Sequence, residues 1–140
     1  MKSTNKQSGI FFLFYILILI IITTTNACSL KNSKSFIEEN VKFTNPADGT
    51  KLVGTFSKPF GTGPFTAVIL ISGSGLQDRN ETVNGHQPFK VLAEYLSKNG
   101  IAVLRFDDRG TGKSKGDVWN ATIEVFAGDA LAGIDYLKTR

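Results

Sequence analysis

The sequence predicts an α/β layer fold, and three observations carry that prediction. Two runs, "FTAVILIS" (65–72) and "IAVLRFDD" (101–108), are too continuously apolar for strands with one wet face, so each reads as a strand buried on both sides. Each is followed by a segment with apolar residues at helical spacing. A hairpin pattern precedes them all. The resulting order of hairpin, strand, helix, strand, helix is that of a sheet layered with helices through right-handed crossovers.

The hairpin lies in "SFIEENVKFTNPADGTKLVGTFSKP", where Val41 and Phe43 alternate on one side of the turn-forming "NPADG" and Leu52, Gly54 and Phe56 on the other. After the loop "FGTGP" comes the first buried strand. The helix that follows, "HQPFKVLAEYLSKNG", places Phe89, Leu92, Ala93 and Leu96 on one face, with Pro88 in its first turn and Gly100 at its stop. The last segment, Asn120 to Arg140, sets Ile123, Phe126, Ala130, Ile134 and Leu137 at helical spacing.

The start of the chain has a different character. A polar head with Lys2 and Lys6, an apolar run from Ile10 to Ile22 and the small-residue stretch "TTTNAC" have the layout of an export signal. The run is shorter than the roughly 20 apolar residues of a membrane span, which favours a cleaved signal over a retained anchor. Cys28 is the only cysteine, so an internal disulfide and a cysteine metal cluster are both excluded. Its place after Ala27 in "TNACS" resembles the lipobox of bacterial lipoproteins, although Thr25 stands where those signals carry Leu. The expected organisation is therefore a signal over 1–27 with lipidation at Cys28, a polar tether over 28–40, and a folded domain over 41–140. The protein would be exported to a bacterial cell envelope, held by its signal or lipid, or otherwise secreted. The sequons at Asn80 and Asn120 matter only in a eukaryotic source. A net charge of +4 without a basic, aromatic-laced stripe argues against nucleic acid as a partner.

"RFDDRGTGKSKGD" (105–117) contains the "GKS" that closes a phosphate-binding loop. That motif needs a further glycine five positions before Gly112, and Asp107 stands there. A carboxylate would repel phosphates, and the next helical pattern begins only near Asn120. Nucleotide binding is accordingly the weakest functional reading.

Read together, "LISGSGLQDRNETVNGHQPF" and "GIAVLRFDDRGTGKSKGD" resemble the α/β-hydrolase family, within it the secreted bacterial esterase and serine-aminopeptidase-like branch. The resemblance covers roughly Val41 to Arg140. It implies the N-terminal half of an α/β-hydrolase sheet, incomplete, and a serine hydrolase of ester or amide bonds that needs no cofactor. The substrate would be a small ester or a short peptide.

Within that resemblance, the glycines after the first buried strand have a chemical reason. Negative charge develops on the substrate carbonyl oxygen during acyl transfer, and backbone N–H groups must approach it to about 3 Å, which side-chain bulk would obstruct. Gly73, Ser74 and Gly75 supply such a loop, with the backbone N–H of Ser74 at the family's donor position and its neighbours as alternatives. A tight turn without a ligand is the plain alternative. Asp78, Arg79, Asp107, Asp108 and Arg109 are expected to form ion pairs tying the two loops together. His86 is the only histidine, and the family's base lies far towards the C-terminus, so His86 is expected on the pocket rim.

The G-x-S-x-G elbow that carries the family's nucleophile does not occur in these residues, and neither Ser74 nor Ser114 satisfies it. The expectation is that the serine, acid and base lie beyond Arg140, leaving this chain inactive alone, with the strand around Val68 to Ile71 bare along one edge. The competing class is a non-catalytic exported lipoprotein that uses the half-fold as a binding surface.

Overall fold

Alternation of side chains sets the first hairpin. In the computed structural model, which describes residues 35–73 and 75–140, β1 (Phe36–Thr44) pairs antiparallel with β2 (Lys51–Pro59), Thr44 opposite Lys51 and Phe36 opposite Pro59. The expectations placed on the signal, on Cys28 and on Ser74 lie outside the described residues. Asn45 makes the turn: its N–H donates to Thr50, its carbonyl accepts from Gly49, and its side-chain oxygen accepts from Ala47 at 2.9 Å. Gly49 takes the positive φ of 75° that the turn requires. β1 starts ahead of Val41, the expected domain boundary, because Phe36 is itself buried and is paired across the sheet.

β3 (Thr66–Leu70) and β4 (Ile101–Phe106) run parallel, joined by α1 (Pro88–Lys98), and β4 pairs antiparallel with β2 on its other side. The sheet order is β1-β2-β4-β3. Pro88 opens α1 where its missing N–H is harmless, and Gly100, at φ 89°, turns the chain from α1 into β4. α2 (Ile123–Leu137) completes the described fold, with Glu124 in its first turn against the positive end of the helix dipole.

The two faces of the sheet differ in chemistry. Val41, Phe43, Leu52, Phe56, Ala102, Leu104 and Phe106 project to one side and form the apolar core under α2. Helix and sheet approach closely at Gly133, where a Cβ would stand 2.5 Å from the Ile69 methyl, and Tyr136 stacks on Phe43 at 5.7 Å. The opposite face presents Thr55, Ser57, Val103 and Arg105, all buried. Ala93 and Ser97 are the buried residues of α1, which packs on β4 and β2.

Two expectations are corrected here. β3 is not buried on both sides: Thr66 and Ala67 are exposed and Val68 to Leu70 half-buried, because β3 is the outer strand of the sheet and no described strand lies beyond it. The inward face of α2 is also only in part the expected apolar stripe, of which Leu137 packs against the core. Asp129, Ala132 and Gly133 are buried, whereas Ile123, Phe126, Leu131 and Ile134 are exposed. Small residues are required where α2 crosses the sheet, and that requirement overrides the hydrophobic periodicity.

Candidate functional site

The ends of β3 and β4 determine where chemistry can occur. Both strands point the same way, so the loops that follow them, 71–79 and 107–117, meet above their C-terminal ends, the usual place for ligands in open parallel sheets.

Asp107 organises the second loop from within. Its carboxylate accepts from Arg79 Nε at 2.9 Å and Nη2 at 2.6 Å, from the Arg79 backbone N–H at 2.9 Å and from the Lys113 N–H at 2.9 Å. Burial pushes its pKa up, but these donors outweigh burial and hold it below the usual carboxylate value. Gly112, at φ 54°, lets the loop close on that carboxylate; a Cβ there would lie 2.6 Å from Asp107 Oδ2. The "GKS" turn thus wraps an internal anion in the place where a phosphate loop wraps its ligand. Ser114 is likewise engaged, accepting from the Val53 N–H at 3.0 Å and donating to the Asp107 carbonyl at 2.7 Å.

Asp108 faces the other loop. Its carboxylate accepts from Ser72 Oγ at 2.6 Å and from the Gln77 N–H at 3.0 Å, and burial raises its pKa above the ordinary value. Arg109 turns away from both loops. It forks onto Asp129 of α2, with Nε and Nη2 each at 2.7 Å, and reaches Asp48 of the hairpin turn at 2.9 Å. Asn45 also donates to Asp129 at 2.8 Å. Asp78 stays within its own loop, accepting from Asn80 and Thr82. Among the five expected charges, Arg79 and Asp107 therefore form the ion pair between the two loops. Asp108 joins them by neutral donors, and Arg109 anchors β4 to α2 and the hairpin.

Between the first loop and α2 lies an open cleft of about 850 Å³, lined by Ile71, Gly73, Gly75, Phe106, Ile123 and Phe126 among others. It is mainly apolar, with the Asp108 and Arg109 side chains at its base. Gly73 and Gly75 are exposed at its rim, Gly75 at φ 99°. His86 is exposed in a separate turn, bridged to Val83 through the backbone, and is absent from the cleft lining. Ser72 donates its hydroxyl to the Asp108 carboxylate, and no imidazole stands beside it among the described residues, His86 being absent from the cleft lining. The cleft can receive an apolar group beside the glycines of the first loop.

A second, polar cavity of about 530 Å³ opens on the α1 side, lined by Glu38, Arg79, Asn80, Lys90, Arg105 and Lys113 among others. Arg105 lies buried in the central strand, paired with Glu38 at 2.6 Å and bonded to Asn80. Sequence reasoning missed Ser72, Asp129 and this arginine. A lone acid in "VFAGDALAG" and a lone arginine in "IAVLRF" are the local signals, since charges inside apolar runs demand buried partners.

Sheet order, loops and cleft define the class of an α/β-hydrolase fold. A family model described as acyl transferase matches residues 54–140. Esterase EstD of Thermotoga maritima is 42% identical over 90 residues, which cover 64% of this chain and 22% of that protein. An acyl transferase of Photorhabdus laumondii is 42% identical over 53 residues, 37% of this chain and 17% of that one. Among solved structures, an esterase of Pyrococcus furiosus superposes with a TM-score of 0.59 at 29% identity, covering 76% of this chain and 36% of its own. The chain belongs to the α/β-hydrolase family, in the group that the acyl transferase model describes. It spans about a fifth of the length of the curated relatives it matches.

Proposed function

We propose that this domain serves acyl transfer in an esterase-type serine hydrolase, with the glycine loop after β3 as its oxyanion-binding element and the apolar cleft as the seat of the acyl group. The observation that carries this reading is the position of Gly73 and Gly75 on the rim of that cleft, where no side chain of theirs would obstruct a carbonyl approaching the backbone. The likeness to an esterase over most of the domain supports the same chemistry. No G-x-S-x-G occurs within the 140 residues and His86 lies away from the cleft, so on this reading the catalytic serine and its partners come from outside them. Attack by that serine on the ester carbonyl forms the acyl-enzyme and expels the alcohol, and attack by water or another acceptor then breaks the serine–acyl bond to give the acid or the new acyl product. Ester substrates with apolar acyl groups fit the lining better than charged ones. The export signal and the lone Cys28 further support a lipid-anchored enzyme of the cell envelope.

A chain-length series of p-nitrophenyl esters tests this reading in the full-length protein. Turnover that Ile123→Arg or Phe126→Arg abolishes is expected. Turnover indifferent to both changes, or none with any ester, contradicts it.

A further inference from the structure

The geometry points to Asp108 as the positioning residue of the glycine loop, its carboxylate holding both stems of that loop above the cleft. One oxygen takes the Ser72 hydroxyl at 2.6 Å, where the chain leaves β3, and the other takes the Gln77 N–H at 3.0 Å, where the loop returns. The Asp108 N–H answers with a bond to the Gln77 carbonyl at 3.1 Å. Between those stems Gly73, Gly75 and Leu76 are exposed, and no backbone hydrogen bond from them to another described residue braces the loop. Gly73 and Gly75 have little to order them except the ends of the loop, because glycine carries the largest backbone entropy and no side chain to pack.

The carboxylate is itself well anchored. Asp108 is 9% exposed, begins the turn after β4, and accepts from the Thr111 N–H at 2.9 Å through its carbonyl. Asp107, the preceding residue, holds Arg79 beyond the far stem at 2.6 Å. Two successive aspartates thus fix successive parts of the same loop from the rigid end of a central strand. Sites held on strands keep donors in place more accurately than sites held on loops alone. Asp108 touches no reacting atom in this account; it acts through the loop.

This inference rests on the oxyanion reading above for its catalytic consequence, but not for its structural one. Three variants separate the two in the full-length protein. Asp108→Ala removes both bonds and Ser72→Ala removes one. Asp108→Asn preserves both if the Ser72 hydroxyl turns to accept from the amide. Hydrogen exchange at the Gln77 N–H should accelerate at least about tenfold in Asp108→Ala, less in Ser72→Ala, and little in Asp108→Asn, with α1 and β4 amides unchanged. With p-nitrophenyl acetate, kcat should fall about 10- to 100-fold in Asp108→Ala at nearly constant KM, as for a displaced donor. Unchanged exchange at Gln77 in both alanine variants overturns the inference. Faster exchange with unaltered kcat, or absence of turnover in the unsubstituted protein, leaves the clasp standing and counts against the oxyanion reading.

Discussion

Arg79 grips the Asp107 carboxylate at three points, with Nε at 2.9 Å, Nη2 at 2.6 Å and its own backbone N–H at 2.9 Å. A side chain and its backbone bonded to one carboxylate fix both the position and the direction of the first loop. The pair is nearly closed to solvent, with side chains 12% and 4% exposed, so salt screens it weakly. Arg79→Ala should strip Asp107 of two charge-assisted bonds and lower the unfolding midpoint in urea. Arg79→Lys should recover little of the loss, because an ammonium cannot reproduce the fork. A midpoint unchanged in Arg79→Ala contradicts the bridging role.

The two neighbouring aspartates should respond to pH with opposite signs. Asp107 has a depressed pKa when folded, so its contribution is present above the unfolded value of about 3.9 and is lost as pH falls through the folded value. Asp108 has a raised one. Its contribution is fully present below the unfolded value and is lost as pH rises through the folded value. Thermal melts between pH 3 and 7 (about the range in which carboxylates titrate) should show the stability gap between the unsubstituted protein and Asp107→Asn closing on acidification. For Asp108→Asn, the variant should gain relative to the unsubstituted protein as pH rises. Parallel curves for the two variants contradict the assignment.

Asp129 of α2 and Arg109 form a bidentate pair whose side chains are 3% and 4% exposed. Removing Asp129 leaves the buried Arg109 with only the more exposed Asp48 as a partner, and losing one member of a buried pair typically costs about 3–5 kcal/mol. Asp129→Ala should therefore destabilise the domain by that amount, as read from chemical denaturation. A loss below about 1 kcal/mol, the scale of a surface pair, contradicts the account.

The outer edge of β3 has no described strand beside it, and the nearby α2 exposes Ile123, Phe126, Leu131 and Ile134. Apolar strand edges and stripes recruit other chains. The 140-residue chain should self-associate in light scattering, and Val68→Lys should reduce this. A monomer with a sharp cooperative melt contradicts the expectation.

Lipidation at Cys28 predicts that Cys28→Ser releases the protein from the detergent phase on partitioning. A single acyl chain binds membranes weakly, so firm retention of the unsubstituted protein requires more than one. Equal retention of both forms contradicts the lipid anchor.

The sheet was legible because hydrophobic runs and turn residues act locally. "NPADG" specifies its own turn, and the continuity of "IAVLRF" marks β4 as the central strand. The face of α2 was not legible. Gly133 and Ala132 lie inward because the helix crosses Ile69 and Leu104 closely, and that spacing arises only when sheet and helix are assembled. The partner of Arg109 was hidden for a related reason: Asp129 lies a helix away, whereas Asp78 is an equally charged residue in the neighbouring loop. The glycine loop after β3 was visible in the sequence, and the role proposed for it came from the family resemblance. Its clasp by Ser72 and Asp108 required the parallel pairing of β3 with β4.

The most direct test of the central claim, that this domain presents an oxyanion loop to a serine supplied from outside these 140 residues, is fluorophosphonate labelling read by intact mass. The 140-residue chain should take up no label, whereas the polypeptide extended by its downstream reading frame should take up one, on the serine of a G-x-S-x-G elbow. Label on Ser72 or Ser114 of the shorter chain, or none on the longer, contradicts the account.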